Sequence, residues 1–153
     1  ERYVEEFQSC GADMITVHAE ACRDLAETVK KIHETGADAG VAVNPDTPLS
    51  AVTDVMDQVE MILIMSVYPG FGGQKYIPES TERIRTLRRM LDEKGLEHVH
   101  IQVDGGINRE TIDEVLAAGA NIIVAGSAVF GSNIEQNVRE LQEKISSYSK
   151  KAE

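Results

Sequence analysis

Five short apolar runs, each followed by a stretch of helical spacing, constrain this chain more than any other feature. The runs are Met14 to Val17, Ala39 to Val43, Met61 to Met65, Val99 to Val103 and Ile122 to Ala125. Most are apolar at every position rather than at alternate ones, the pattern of parallel strands covered on both faces. His100 and Gln102 make the fourth an exception. Thr47-Pro48 predicts an N-cap followed by proline at the first helical position, with Leu49, Val52, Val55, Met56 and Val59 as the apolar stripe. Asn108 predicts the cap of a helix carrying Ile112, Val115 and Leu116. A last helix carries Ile134, Val138, Leu141 and Ile145 and frays over 146–151. Gly11, Gly36 and Gly119 each open a Gly-Ala-Asp or Gly-Ala-Asn triplet between a helix pattern and a strand, where glycine ends the helix in the left-handed conformation; Gly95 does the same before the fourth strand. The order is one helix and then five strand-helix units in a single domain, 1–153.

Alternating strands and helices give an α/β fold with a parallel sheet, either open and doubly wound or part of a (βα) barrel. The polar residues separate the two. His18, Asn44, Ser66, Asp104 and the pair Gly126-Ser127 each sit directly after a strand's last apolar residues. In a barrel those positions converge on one mouth, where barrel enzymes place their chemistry, whereas an open sheet uses one or two strand ends at a switch point.

Charge and composition narrow the partners. A net charge of −11 opposes binding to nucleic acid. The basic cluster Arg83, Arg85, Arg88 and Arg89 alternates with Ile84, Leu87 and Leu91 and reads as the solvated face of a helix. No apolar run reaches membrane-spanning length and no basic-then-apolar leader is present, so a soluble chain is expected. Cys10 and Cys22 stand far apart without a CxxC, which fits a reducing, cytoplasmic setting rather than a zinc knuckle or a disulfide framework.

Three consecutive strand ends are rich in glycine: Gly70-Phe71-Gly72-Gly73, Gly105-Gly106 and Gly126-Ser127. Inward-turned backbone N–H groups in such loops bind a phosphate dianion without a lysine; one such loop alone reads better as a tight turn, but three at consecutive strand ends favour a phosphate site. There is no GxGxxG, and the first loop lacks the spacing of a nucleotide P-loop. His18 and Asp104 are candidates to share a divalent metal, and Asp104 is also a candidate base. For His18 the competing reading is a strand-end residue with a local partner. Asp104, placed between Val103 and two glycines, carries a desolvation cost that a turn would not require. Glu20 either orients His18 or starts a helix. Met65 reads as core, or as an apolar wall over a substrate, and His33, His98 and His100 as structural.

Taken together, ITVHAE (15–20), VAVNPDTP (41–48), LIMSVYPGFGGQKYIP (63–78), IQVDGGIN (101–108) and VAGSAVFG (124–131) resemble the ribulose-phosphate 3-epimerase family from about Glu1 to about Gly131. The PGFGGQ loop is the most specific of these motifs. The resemblance implies a (βα)8 TIM barrel and an isomerase of the pentose phosphate pathway that interconverts D-ribulose 5-phosphate and D-xylulose 5-phosphate. Two aspartates on opposite faces of the sugar take and return the C3 proton, with help from a divalent metal, commonly zinc or iron(II). By the same resemblance His18 and Asp104 match metal ligands, and Asp104 matches one of the acid/base pair. His18, Met65, Gly70, Phe71, Gly72, Gly73, Gly105, Gly106, Gly126 and Ser127 match substrate and phosphate contacts.

The chain departs from the family at its start. Glu1 to Val4 looks like the helix after the third strand, so the chain is expected to supply only about strands four to eight, without the family's substrate-binding serine and its His-x-Asp pair. An eight-stranded barrel needs roughly 250 residues, with about 200 as a lower bound. An incomplete barrel domain, C-terminal in a longer epimerase and nearly inactive alone, is the expectation. Two alternatives stand beside it: a non-catalytic phosphosugar-binding half-barrel that associates with itself or a partner, and an epimerase for another ketose phosphate such as allulose 6-phosphate.

Overall fold

A computed structural model describes residues 3–149, with the side chain of Ser149 left out. Five strands, β1 (Met14–His18), β2 (Asp38–Val43), β3 (Met61–Met65), β4 (His100–Asp104) and β5 (Ile122–Val124), form one parallel sheet in the order β1-β2-β3-β4-β5. The helices are α1 (Val4–Ser9), α2 (Leu25–Glu34), α3 (Glu79–Glu93), α4 (Ile112–Ala118), α5 (Gly126–Val129) and α6 (Ile134–Ser149). The strands fall within a residue or so of the apolar runs.

Alternation divides each strand between two apolar layers. Ala39, Val41, Val43, Ile62, Ile64, Ile101 and Val103 point to the helices and join the main core with Val29, Ile32, Ile84, Leu87, Leu91, Ile112 and Val115. Ala42, Met61, Leu63 and Met65, with Ile122 against them, form a second cluster on the opposite, inner face. Every residue of β3 is buried for this reason. Each fully buried Ile or Leu there contributes about 1.5–3 kcal/mol.

Four expectations need correction. Residues 49–59 form two 3₁₀ turns, Leu49–Val52 and Met56–Gln58, rather than a helix. Val52, Thr53, Val55 and Val59 are β-branched and Ser50, Asp54 and Asp57 compete for backbone, so the segment propagates an α-helix poorly. Its apolar spacing of three suits the tighter turn, which still buries Val52, Val55, Met56 and Val59. Pro48, not Thr47, stands at the cap position, and no side chain caps the turn.

The arginine cluster is only half solvated. Arg83 donates from Nη2 to the carbonyls of Asn44 (3.2 Å) and Thr47 (2.6 Å). Arg88 reaches Val99 O, Leu96 O and Asp92. Both tie α3 to the ends of neighbouring strands.

The last helix continues to Ser149 instead of fraying from Ser146. Lys144 pairs with Asp113, and Tyr148 Oη donates to Asp113 O at 3.1 Å, so α4 holds this end. Residues 150 and 151 of the expected fraying end lie outside the described residues.

The start of α4 differs from expectation: Thr111, not Asn108, stands at the cap position without a side-chain cap, because Asn108 Oδ1 is taken up by the N–H groups of Glu110 and Thr111 in the turn before the helix. The end of α4 follows the sequence. Gly119 closes it at φ +110°, and a Cβ there would meet Arg88 Cγ at 2.7 Å.

Candidate active site

The carboxyl ends of β3, β4 and β5 surround a cavity of about 450 Å³. Met65, Asp104 and Val124 occupy one register layer across these strands and all line it. Gly70, Phe71, Gly72 and Gly73, Gly105 and Gly106, and Gly126 and Ser127 line it as well. The three glycine-rich segments, widely separated in sequence, therefore meet at one place.

The loops are fixed from within. Ser66 is fully buried, and its hydroxyl donates to Gly105 O at 2.7 Å while its N–H donates to Asp104 O at 2.8 Å. Gln74 Nε2 donates to Tyr68 O (2.6 Å) and Phe71 O (3.0 Å), gathering the 68–74 loop into a bowl. Gln74, Tyr68 and Val124 also line the cavity and were not singled out from sequence. Gln74 carried a signal in its place directly after the glycine run, whereas the placing of Val124 depends on register.

The glycines divide into two kinds. At Gly106, φ is +66° and a Cβ would stand 2.2 Å from Tyr76 N, so the chain's own packing requires glycine there. Gly105 is likewise pressed against Val67. Gly72 and Gly126 have neither a positive φ nor any atom within 4 Å of the missing Cβ. Folding imposes no glycine at those two positions, and both face the cavity.

Asp104 has no hydrogen-bond partner for its carboxylate among the described contacts, and burial pushes its pKa above the ordinary aspartate value. A desolvated, unengaged carboxyl in a cleft is suited to proton transfer.

His18 stands apart. It lies on β1, with β2 and β3 between it and β4, and does not line the cavity. Its Nδ1 is 3.3 Å from Glu20 Oε2. Among the described residues no group of three or more His, Cys, Asp or Glu side chains is placed to hold a metal ion. Catalytic metals generally take three protein donors. The expected pair does not by itself make a metal centre. The other histidines have local roles as expected where partners are seen: His33 Nε2 lies 3.2 Å from Glu60 and His100 Nδ1 3.0 Å from Asn121 Nδ2.

A family model described as the ribulose-phosphate 3 epimerase family matches residues 1–130. The chain belongs to the ribulose-phosphate 3-epimerase family. Its resemblance to epimerases in sequence is close: 48% identity over 133 residues to the ribulose-phosphate 3-epimerase of Bacillus subtilis, covering 87% of this chain and 61% of the relative. The Synechocystis epimerase is 52% identical over 134 residues, covering 86% and 58%. The chain thus spans about three fifths of the length of these epimerases and only part of their barrel. In fold it is similar to 3-keto-L-gulonate-6-phosphate decarboxylase from Vibrio cholerae (TM-score 0.72, 18% identity, covering 96% of this chain and 67% of that one). KGPDC from Streptococcus mutans is similar in fold to nearly the same degree (TM-score 0.71, 14% identity, 96% and 66%). No helix among the described residues is long and apolar enough to cross a membrane.

Proposed function

We propose that this chain carries the phosphate cradle and one acid/base group of a ribulose-phosphate 3-epimerase, acting on D-ribulose 5-phosphate and D-xylulose 5-phosphate. The observation that carries the reading is the joint placement of Asp104 with Gly72 and Gly126 in one cavity. The glycines leave room for an anion to approach the backbone, and Asp104 lines the same cavity from the end of β4. A dianion bound by N–H groups needs no lysine, in keeping with a chain of net charge −11. With the phosphate fixed, the ketose chain lies along the inner face, and Met65 supplies an apolar wall that keeps water from the reacting carbon.

Asp104 takes the proton from C3, adjacent to the C2 ketone, and can return it. Inversion requires a second acid on the opposite face of the sugar, and the cavity contains one carboxyl, Asp104. The divalent ion that the family resemblance implies, zinc or iron(II), finds a donor in Asp104 but no complete set here. The chemistry of this chain is therefore proton removal and return on a single face. Two free cysteines support a reducing, cytoplasmic setting.

The test is to incubate the purified chain with D-ribulose 5-phosphate in deuterium oxide. Deuterium at C3 without formation of xylulose 5-phosphate is the expected result. Full epimerisation would overturn the single-acid assignment. Absence of both exchange and binding would overturn the site. The single carboxyl also favours a second reading, a phosphosugar-binding half-barrel without catalysis. Phosphate binding with no exchange, together with a solution mass of a dimer or larger, identifies that case.

A further inference from the structure

The segments that follow β4 and β5 are held in register only as far as the strands run. Asp104 pairs with Val124, and the ladder stops there. Beyond it a second cavity, of about 680 Å³, is lined by Gly106, Asn108 and Thr111 of one segment and by Ser127 and Ala128 of the other. α5 is a single turn with no buried residue and no side-chain cap, closed by the Phe130 N–H on Gly126 O at 3.0 Å. Val129, at its last position, packs against the main core while remaining partly exposed. With so little burial, the placing of Gly126 and Ser127 beside the first cavity depends on polar ties at the far end of this turn.

Asn137 of α6 supplies such a tie in two directions. Its Nδ2 donates to Val129 O at 3.2 Å, and its Oδ1 accepts from Arg109 Nη2 at 2.8 Å. A guanidinium only donates and a carbonyl only accepts, so the two partners fix the orientation of the amide, and the side chain at 137 must offer one donor and one acceptor. Arg109 also pairs with Glu140, about one turn along α6 from Asn137. Thr111 Oγ1 donates to Gly106 O at 3.3 Å, which ties the turn holding Arg109 back to the second glycine segment.

We propose that Asn137 is a positioning residue for the phosphate cradle: its amide sets the spacing between Gly105-Gly106 and Gly126-Ser127, so that both segments address one anion. The inference rests on the phosphate reading above and says what holds two parts of that site together. The match to the family model ends at residue 130, so the tie is made by a stretch of chain outside the matched residues.

The substitution Asn137→Leu removes both bonds, adds no charge near an anion and raises helix propensity, so α6 itself is not weakened. Two readings on the ¹⁵N-labelled chain test the proposal. Without ligand, solvent exchange of the Phe130 N–H is expected to be about fivefold faster in the variant, with the amides of β3 unchanged. With inorganic phosphate, the wild-type amides of Gly105, Gly106, Gly126 and Ser127 are expected to shift together with one dissociation constant, and that constant to rise about fivefold in the variant while the urea midpoint is not lowered. An unchanged Phe130 exchange rate overturns the proposal, and so does an unchanged phosphate affinity in a folded variant. If Asn137→Leu fails to fold, Asn137→Ala takes the same two readings. A wild-type chain whose four amides do not respond to phosphate overturns the cradle itself; the Phe130 exchange, which needs no ligand, still decides whether Asn137 holds α5.

Discussion

Asp104 and Gly106 are two positions apart and answer to opposite demands. Gly106 serves the fold: Gly106→Ala places a methyl against the Tyr76 backbone at a left-handed φ and should cost about 2 kcal/mol or more in a denaturant titration. Gly72→Ala meets no protein atom, so its stability should stay within about 0.5 kcal/mol of wild type while phosphate affinity falls, as read by phosphorus NMR. Asp104, proposed above as the acid/base group, is held ionised only at a cost to the fold. Its folded pKa is raised, so the folded state holds its proton more tightly than the unfolded chain, and stability declines as pH rises from the ordinary aspartate range through the raised value. Asp104→Asn should accordingly melt higher than wild type at neutral pH while abolishing C3 exchange. Glu20 behaves in the opposite way. Burial raises its pKa, but hydrogen bonds from Thr47, Asn44 and His18 outweigh that and hold it below the usual glutamate value. Its contribution to stability is complete above the ordinary glutamate range and is lost as pH falls through the lower folded value. A thermal-melt series in acid should show that loss, reduced in Glu20→Gln.

At the scale of elements, β3 is the centre. It is flanked by β2 and β4, buried at every position, and leads into the glycine loop. Ile64→Ala removes a fully buried side chain facing the helices and should destabilise the chain by about 2–5 kcal/mol in urea titrations. The strands were legible in the sequence because a run such as Met61 to Met65, apolar at five successive positions, suits a strand buried on both faces. Residues 49–59 were misread because a spacing of three to four serves an α-helix and a 3₁₀ turn alike, and the β-branched content that separates them is a propensity, which packing can override. Arg83 was misread for another reason. Its place on the helix face says nothing about two carbonyls nearly forty residues earlier, and those contacts exist only because α3 packs beside the end of β2.

Across the whole molecule, the sheet has two edges, β1 and β5, each paired on one side only. Parallel sheets normally lie within closed or covered arrangements, and here the inner face carries Met14 and His18 partly in solvent. Amide hydrogen exchange should be slowest in β3 and its immediate neighbours and faster along the free sides of β1 and β5. The sequence by itself determined the strand positions, the parallel character of the sheet, the glycine segments at three strand ends and the acid after β4, because burial on both faces and left-handed helix stops write themselves into residue type. Only the tertiary structure decided which of those residues meet. It brought Asp104 to Gly72 and Gly126 through register, left His18 on a strand further along the sheet and bonded to Glu20, and showed that Gly105 and Gly106 answer to the chain's own packing. Those distinctions depend on distances between segments far apart in sequence, and residue type alone does not carry such distances.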